Sequence, residues 1–260
     1  MWCGDAPNQK ALASKIANKY PVAGIVVESK KTGLKKKSLF KLPSSIWDKI
    51  RFRSIYGAWK SLQKFYQTNF REWPTAELIY VDSINSKEAE DFSKKFFPDL
   101  IIVSGTSLVK EPLLSTLAKT GIINLHTGLS PYIKGGPNCT NWCIANNDWH
   151  LVGNTVMWLN AGIDSGNIIT TETVDIRDAE NLFEAHKKVM EKAHGLYLKA
   201  IDYLIIHEPP YISVKQSDLS KGKTFYTKMW NAERRLQLLK NWKMRKTASL
   251  GIVPSTILLP

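Results

Sequence analysis

The chain has 260 residues, 43% hydrophobic and 23% charged, a balance that excludes disorder and fits one large domain, alone or with an extension. It holds 36 Lys and Arg against 23 Asp and Glu, for a net charge of +13, and only 3 Cys. So few cysteines exclude a disulfide framework, and a reduced, cytoplasmic chain is the expectation. No apolar run reaches the ~18 residues that a membrane-spanning helix needs, and no leader pattern opens the sequence, so neither membrane nor export is expected.

In chain order, Met1–Gly4 reads as a short strand entering the turn Gly4-Asp-Ala-Pro-Asn8. A helix is predicted from about Pro7 to Tyr20, with proline at its first position and Ala11, Leu12, Ile16 and Ala17 at helical spacing. The β-branched run Val22–Val27 predicts a buried strand. A basic stretch then leads into an aromatic, amphipathic segment at 44–70, where Trp47, Ile50, Ile55, Trp59, Leu62 and Phe65 recur near helical period. Strands at 78–81, 98–104 and 121–126 alternate with helices at 87–96 and 112–119. Such alternation predicts an α/β fold, a Rossmann-like and mostly parallel sheet with helices on both faces. After a Gly/Pro-rich loop at 127–137 come a short helix at 140–146 and strands at 153–159 and 167–174. A long helix follows at 181–206, its apolar stripe formed by Leu182, Val189, Ala193, Leu196, Ala200 and Leu204 and its end set by Pro209-Pro210. The tail has a turn at Lys221-Gly-Lys and a helix at 230–244. The domain reading is a core over 1–206, with a basic aromatic insertion at 30–72, and a C-terminal extension over 207–260.

The positive charge is concentrated in two places. Residues 30–72 carry twelve basic and two acidic side chains, and residues 211–260 carry ten and two. The rest of the chain is mildly acidic. Either the two segments meet an anionic partner or they are solvated, Lys-rich surface.

Asn124 and His126 stand two apart on a predicted strand, so their side chains leave the same face about 7 Å apart. They fall at the strand's carboxyl end, where open α/β sheets bind ligands. An amide and a titratable imidazole suit a reaction in which a carbonyl oxygen gains charge and a proton moves. The same two residues also read as a hydrogen-bonded structural pair. Asp164, in Leu159-Asn-Ala-Gly-Ile-Asp-Ser-Gly166, sits on a loop between two strands. A carboxylate there would raise the His126 pKa and orient its ring if the fold brought the two together; Asp-Ser-Gly is equally an ordinary turn.

At these residues the chain resembles the folate-dependent formyltransferases. The matching stretches are Ile123-Asn-Leu-His126, Ser130-Pro-Tyr-Ile-Lys-Gly135, Gly153-Asn-Thr-Val156 and Gly162-Ile-Asp-Ser-Gly-Asn-Ile168, in the family's order and spacing. The resemblance covers roughly residues 1–206. It implies transfer of a formyl group from 10-formyltetrahydrofolate to an amine. Asn124, His126 and Asp164 would be the catalytic trio, and backbone groups of Leu108, Val109, Lys110, Asn160, Ala161 and Gly162 would line the pterin slot. Two positions depart from the family pattern: Thr127 follows His126 where proline is common, and Met157 stands where a second His is often found.

Known acceptors in the family are glycinamide ribonucleotide, methionyl-tRNA and nucleotide-linked aminosugars. A core with a short aromatic, basic tail looks most like the sugar N-formyltransferases of surface-polysaccharide (O-antigen) pathways, whose substrates are commonly dTDP-linked aminosugars. Gly4, Asn8, Lys10, Lys134, Trp149 and Tyr226 are the substrate-binding candidates on this reading, with Phe225 and Trp230 as further aromatic platforms for a base. The Gly4–Asn8 turn opens a helix, where backbone N–H groups can hold phosphate. A methionyl-tRNA formyltransferase is the second reading, and a non-catalytic RNA- or folate-binding module the third. The expected partner is a small nucleotide-sugar rather than nucleic acid or membrane, in a homodimer. Cys139 and Cys143 lack the His/Cys neighbours that a metal set needs, so no metal is expected. The shortness of the first strand suggests an upstream start codon.

Overall fold

The computed structural model describes residues 1–29, 42–115, 118–136 and 138–260. The basic run at 30–41 lies outside them. Strands β1 (Trp2–Gly4), β2 (Gly24–Glu28), β3 (Glu77–Val81), β4 (Leu100–Ser104) and β5 (Gly121–His126) are parallel, β7 (Gly153–Trp158) adds antiparallel to β5, and β8 (Ile168–Thr173) adds antiparallel to β7. The seven strands run in the order β3-β2-β1-β4-β5-β7-β8. The expected α/β fold, a mostly parallel sheet with helices on both faces, is the observed one.

The central strands are buried on both sides, which is why their sequence reads as continuous apolar runs. Trp2 packs with Val26, Ile101 and Val103 on one face, whereas its neighbour Cys3 packs with Ala13, Ile25 and Val27 on the other. The first face carries α4 (Lys87–Lys95), started by Ser86, whose hydroxyl accepts from Ala89 N–H at 3.2 Å. The second carries α1 (Pro7–Ala17) and α6 (Leu182–Ile206). The apolar stripe expected on α6 is buried throughout. Tyr197 of α6 anchors it to the sheet: its hydroxyl accepts from Val103 N–H at 3.0 Å and donates to the Ile123 carbonyl at 2.8 Å.

The aromatic segment expected at helical period forms two helices, α2 (Leu42–Arg51) and α3 (Arg53–Asn69), separated at the fully buried Phe52. Ile55, Ala58, Leu62 and Tyr66 of α3 are buried, so this segment builds core as well as surface. Of the helix expected at 112–119, the described residues show a 3-10 turn at Leu113–Ser115, and 116 and 117 lie outside them.

Two features of the tail were not in the sequence reading. The 127–137 loop contains a short strand, β6 (Ile133–Gly135), which pairs in parallel with β9 (Lys223–Phe225). Before β9, α7 (Gln216–Leu219) follows a bridge in which Ile168 and Val214 exchange backbone hydrogen bonds at 2.8 and 2.9 Å. Helix α8 (Ala232–Met244) begins at Asn231, which accepts from Arg234 N–H at 3.0 Å, and packs on α5 (Cys139–Asn146). Leu238 of α8 is fully buried. Among the described residues no helix is long and apolar enough to cross a membrane.

Candidate active site

The strand order reverses between β1 and β4, and a cavity of about 610 Å³ opens beyond the carboxyl ends of these strands and β5. Close packing of turns shapes it. Gly4 ends β1 against the Gly105 carbonyl with no room for a Cβ, and Gly105 itself has φ +70 beside the Gln9 side chain. The loop after β4 is held from behind by the buried Glu28, whose carboxylate accepts from Ile84 N–H at 3.1 Å, Ser107 N–H at 2.6 Å and the Ser107 hydroxyl. Asn85 completes the support, donating to the Leu108 carbonyl at 2.9 Å and accepting from Lys110 N–H at 2.7 Å.

Asn124, His126 and Asp164 all line this cavity. Nδ1 of His126 lies 3.3 Å from Oδ2 of Asp164. Nε2 lies 3.3 Å from the Ile133 carbonyl and 3.6 Å from Cys139 Sγ, whose thiol donates to the Gly135 carbonyl at 3.4 Å. Gly135 N–H donates to the same Asp164 oxygen at 3.1 Å. With an acceptor at each ring nitrogen, the geometry suits the doubly protonated imidazolium. Burial alone would lower the His126 pKa; the Asp164 carboxylate, the Cys139 sulfur and the Ile133 carbonyl outweigh it and push the group up to about 9.

Asp164 is one of few non-glycine residues with positive φ among the described residues, at +46. Its loop is closed by Asn160, which accepts from Gly162 N–H at 3.1 Å and the Ser165 hydroxyl at 2.8 Å. Gly166 passes so close to the Trp158 carbonyl that any Cβ would clash.

The remaining candidates divide. Leu108, Val109, Asn160, Gly162, Asn8, Phe225 and Tyr226 line the cavity. Lys110 and Ala161 are exposed and lie outside its lining, as does the buried Gly4. Lys10 reaches the Arg71 carbonyl at 2.8 Å and sits over the Trp73 ring. It stands two residues from Asn8 on a helix, and such positions face opposite ways. Lys134 alternates with the buried Ile133 on β6 and also lies outside the lining. Trp149 is placed away from the site: it is 1% exposed, packs against Trp242 and donates to Asn147 Oδ1 at 2.7 Å. Trp230 stands edge-on to Trp142 in the same aromatic cluster. At the Gly4–Asn8 turn, Pro7 has no N–H and the Gln9 N–H returns to the Ala6 carbonyl at 2.8 Å, which reduces the donors that a phosphate would use.

Trp59, Gln9, Thr106 and Thr227 also form the cavity wall and Gln216 lies behind the Asp164 loop, none of them expected there from the sequence. Thr106 closes Val103-Ser-Gly-Thr106, a stretch that matches the formyltransferases in kind; the others carry no motif. The apposition of α3, α7 and β9 with the sheet reveals Trp59, Gln216 and Thr227.

A family model for formyl transferases matches residues 8–201. The chain belongs to the formyl transferase family. Among curated members, it is 34% identical over 121 residues to the methionyl-tRNA formyltransferase of Clostridium tetani, a match spanning 46% of this chain and 38% of that one. The chain thus matches less than half the length of that relative. Among solved structures it resembles a 4-N formyltransferase from Francisella tularensis, with TM-score 0.55, 19% identity and coverage of 92% of this chain and 86% of that one. It also resembles an N-formyltransferase from Helicobacter canadensis in complex with folinic acid and dTDP-3-aminofucose, with TM-score 0.55, 16% identity and coverage of 93% and 79%. At these identities the two structures establish the shared fold.

Proposed function

We propose that the protein is an N-formyltransferase that moves a formyl group from 10-formyltetrahydrofolate to the amino group of a nucleotide-linked amino-deoxysugar, most simply a dTDP-linked one. The observation that carries the transfer reading is the contact between His126 and Asp164 on the wall that also holds Asn124.

The cavity fits such a donor. Its volume lies in the range of small-molecule sites, roughly 300–1,000 Å³. Apolar Val109, Met157 and Leu159 and the backbone of the 104–109 loop line it together with the polar trio. The donor, when bound, supplies the electrophilic formyl carbon. The amide of Asn124 and the positive ring of His126 face the place where a carbonyl oxygen would gain charge, and both favour that charge in a cavity partly shielded from water. The Asp164 carboxylate holds His126 in its charged form and is a base on the same wall, able to take the amine's proton directly or through a water and relay it to the folate nitrogen that departs as the carbon–nitrogen bond to the formyl group breaks.

The aromatic wall supports a nucleotide-sugar acceptor. Trp59 and Tyr226 line the cavity and are 43% and 49% exposed, which leaves ring surface for a base to stack on. The tail that supplies Tyr226 is held to the core by the β6–β9 pairing. A second reading, transfer to methionyl-tRNA, is favoured by the identity to the Clostridium tetani protein. The assay that separates the two offers 10-formyltetrahydrofolate with either dTDP-aminosugars or charged initiator tRNA. Turnover on the sugars alone supports the proposal; turnover on the tRNA alone replaces it. A cytoplasmic homodimer belongs to the same proposal and is tested by light scattering of the purified chain.

A further inference from the structure

Gln216 stands at the start of α7, 52 positions from Asp164, and is 7% exposed. Its Nε2 donates to the carbonyls of both Asp164 and Gly166, each at 2.8 Å. A primary amide has two N–H groups, and this geometry uses both. The Oε1 atom is buried with no hydrogen-bond partner among the described residues, so the side chain acts here through its donors. The turn it grips is the one that places Asp164 in the left-handed region at φ +46, a conformation that persists only where the surroundings hold it.

The same tail segment reaches the other side of the pair. Gly222, at φ +63, presses against the Pro131 carbonyl too closely for a Cβ. Lys223 N–H donates to the Tyr132 carbonyl at 3.0 Å, and the Phe225 carbonyl accepts from Gly136 N–H at 3.0 Å. Phe225 stacks on Trp142, with ring centroids 4.4 Å apart. These contacts fix β6 in place, and β6 supplies the Ile133 carbonyl facing His126 Nε2 and the Gly135 N–H on Asp164 Oδ2. One stretch of ten residues therefore secures both the backbone of Asp164 and the strand that aligns the two side chains.

We propose that Gln216–Phe225 is a positioning element for the reaction, with Gln216 as the positioning residue that sets the Asp164 turn so its carboxylate meets His126. The proposal rests on the reading of His126 and Asp164 as the reacting pair.

The test compares the full-length chain with Gln216→Leu, Gln216→Glu and Asp164→Asn. Three quantities are measured: the His126 ring titration by NMR, thermal unfolding, and formyl transfer from 10-formyltetrahydrofolate to a dTDP-linked 4-amino sugar. Gln216→Leu is expected to fold, to move the His126 midpoint down toward that of an ordinary histidine, and to lose roughly tenfold or more in kcat with little change in the donor KM; Gln216→Glu, which sets a carboxyl oxygen against two carbonyls, is expected to lose kcat likewise. A Gln216→Leu chain with the wild-type His126 midpoint and kcat overturns the proposal. If that variant does not fold, Gln216→Met, which keeps the length beside Met157, is read in the same way. Wild-type turnover by Asp164→Asn would instead remove the reading of the pair as the reacting groups. Because the His126 titration needs no acceptor, it decides the positioning role even if the sugar is not a substrate.

Discussion

His126 Nδ1 and Asp164 Oδ2 lie 3.3 Å apart, with the aspartate oxygen also accepting from Gly135 N–H at 3.1 Å. One residue ends the last parallel strand and the other sits on the loop joining two antiparallel strands. Their meeting depends on the point where the sheet changes direction. Replacing Asp164 by Asn removes the charge and leaves burial to act on the imidazole without that opposition. The His126 titration midpoint should fall from about 9 toward or below 6.5, and formyl transfer should drop by roughly 10²-fold or more. Ring NMR and a turnover assay read the two effects.

The same pair predicts a pH dependence of stability. A histidine whose folded pKa lies above its unfolded value stabilises fully below the unfolded pKa and loses that contribution as pH rises through the folded one. For His126 the window runs from about 6.5 to about 9, and the shift corresponds to about 3 kcal/mol. In chemical denaturation the gap between wild type and His126→Gln should be widest near the bottom of this window and close above its top.

Gly166 has no space for a side chain next to the Trp158 carbonyl. Gly166→Ala has to part the backbone at the end of β7, costing about 1–3 kcal/mol and dragging the Asp164 turn with it. Loss of activity beyond what thermal unfolding explains is the expected result.

Trp59 and Tyr226 offer exposed ring faces to the cavity. If a base stacks there, Trp59→Ala and Tyr226→Ala should each raise the acceptor KM by roughly tenfold while leaving kcat nearly unchanged, in line with stacking energies of about 1–3 kcal/mol per base. Steady-state kinetics with the acceptor varied separates this from an effect on the chemical step.

Leu238 of α8 is fully buried in the cluster that joins the tail to α5. Leu238→Ala should cost about 2–5 kcal/mol, measured by denaturant titration. A near-zero cost would mean that α8 is not packed on the core as described.

Elements with a strong period were legible in the sequence. The stripe of α6 and the apolar run of β5 each bury a continuous surface, and that demand marks the amino acids directly. Asn124 and His126 fall at a strand end and Asp164 in a glycine-flanked loop, a pattern that also fits structural residues; the resemblance to the formyltransferases is what joins them into one trio. The tail's part was hidden for physical reasons. Strand β9 has only three residues, too short to show an alternation, and a single glutamine carries no signature until Asp164 and Gly166 lie against it. Trp149 misled because an indole can serve as a platform for a base, whereas its ring is buried in the core against Trp242 of α8. Lys10 misled through charge alone, since helical geometry turns it away from the face that carries Asn8.

The most direct measurement follows the formyl group itself. The purified chain, given isotopically labelled 10-formyltetrahydrofolate and a dTDP-linked amino sugar, should yield a labelled formamido sugar and free tetrahydrofolate by mass spectrometry, with Asn124→Ala, His126→Ala and Asp164→Asn all strongly impaired. A labelled product formed at undiminished rate by all three variants would contradict the account.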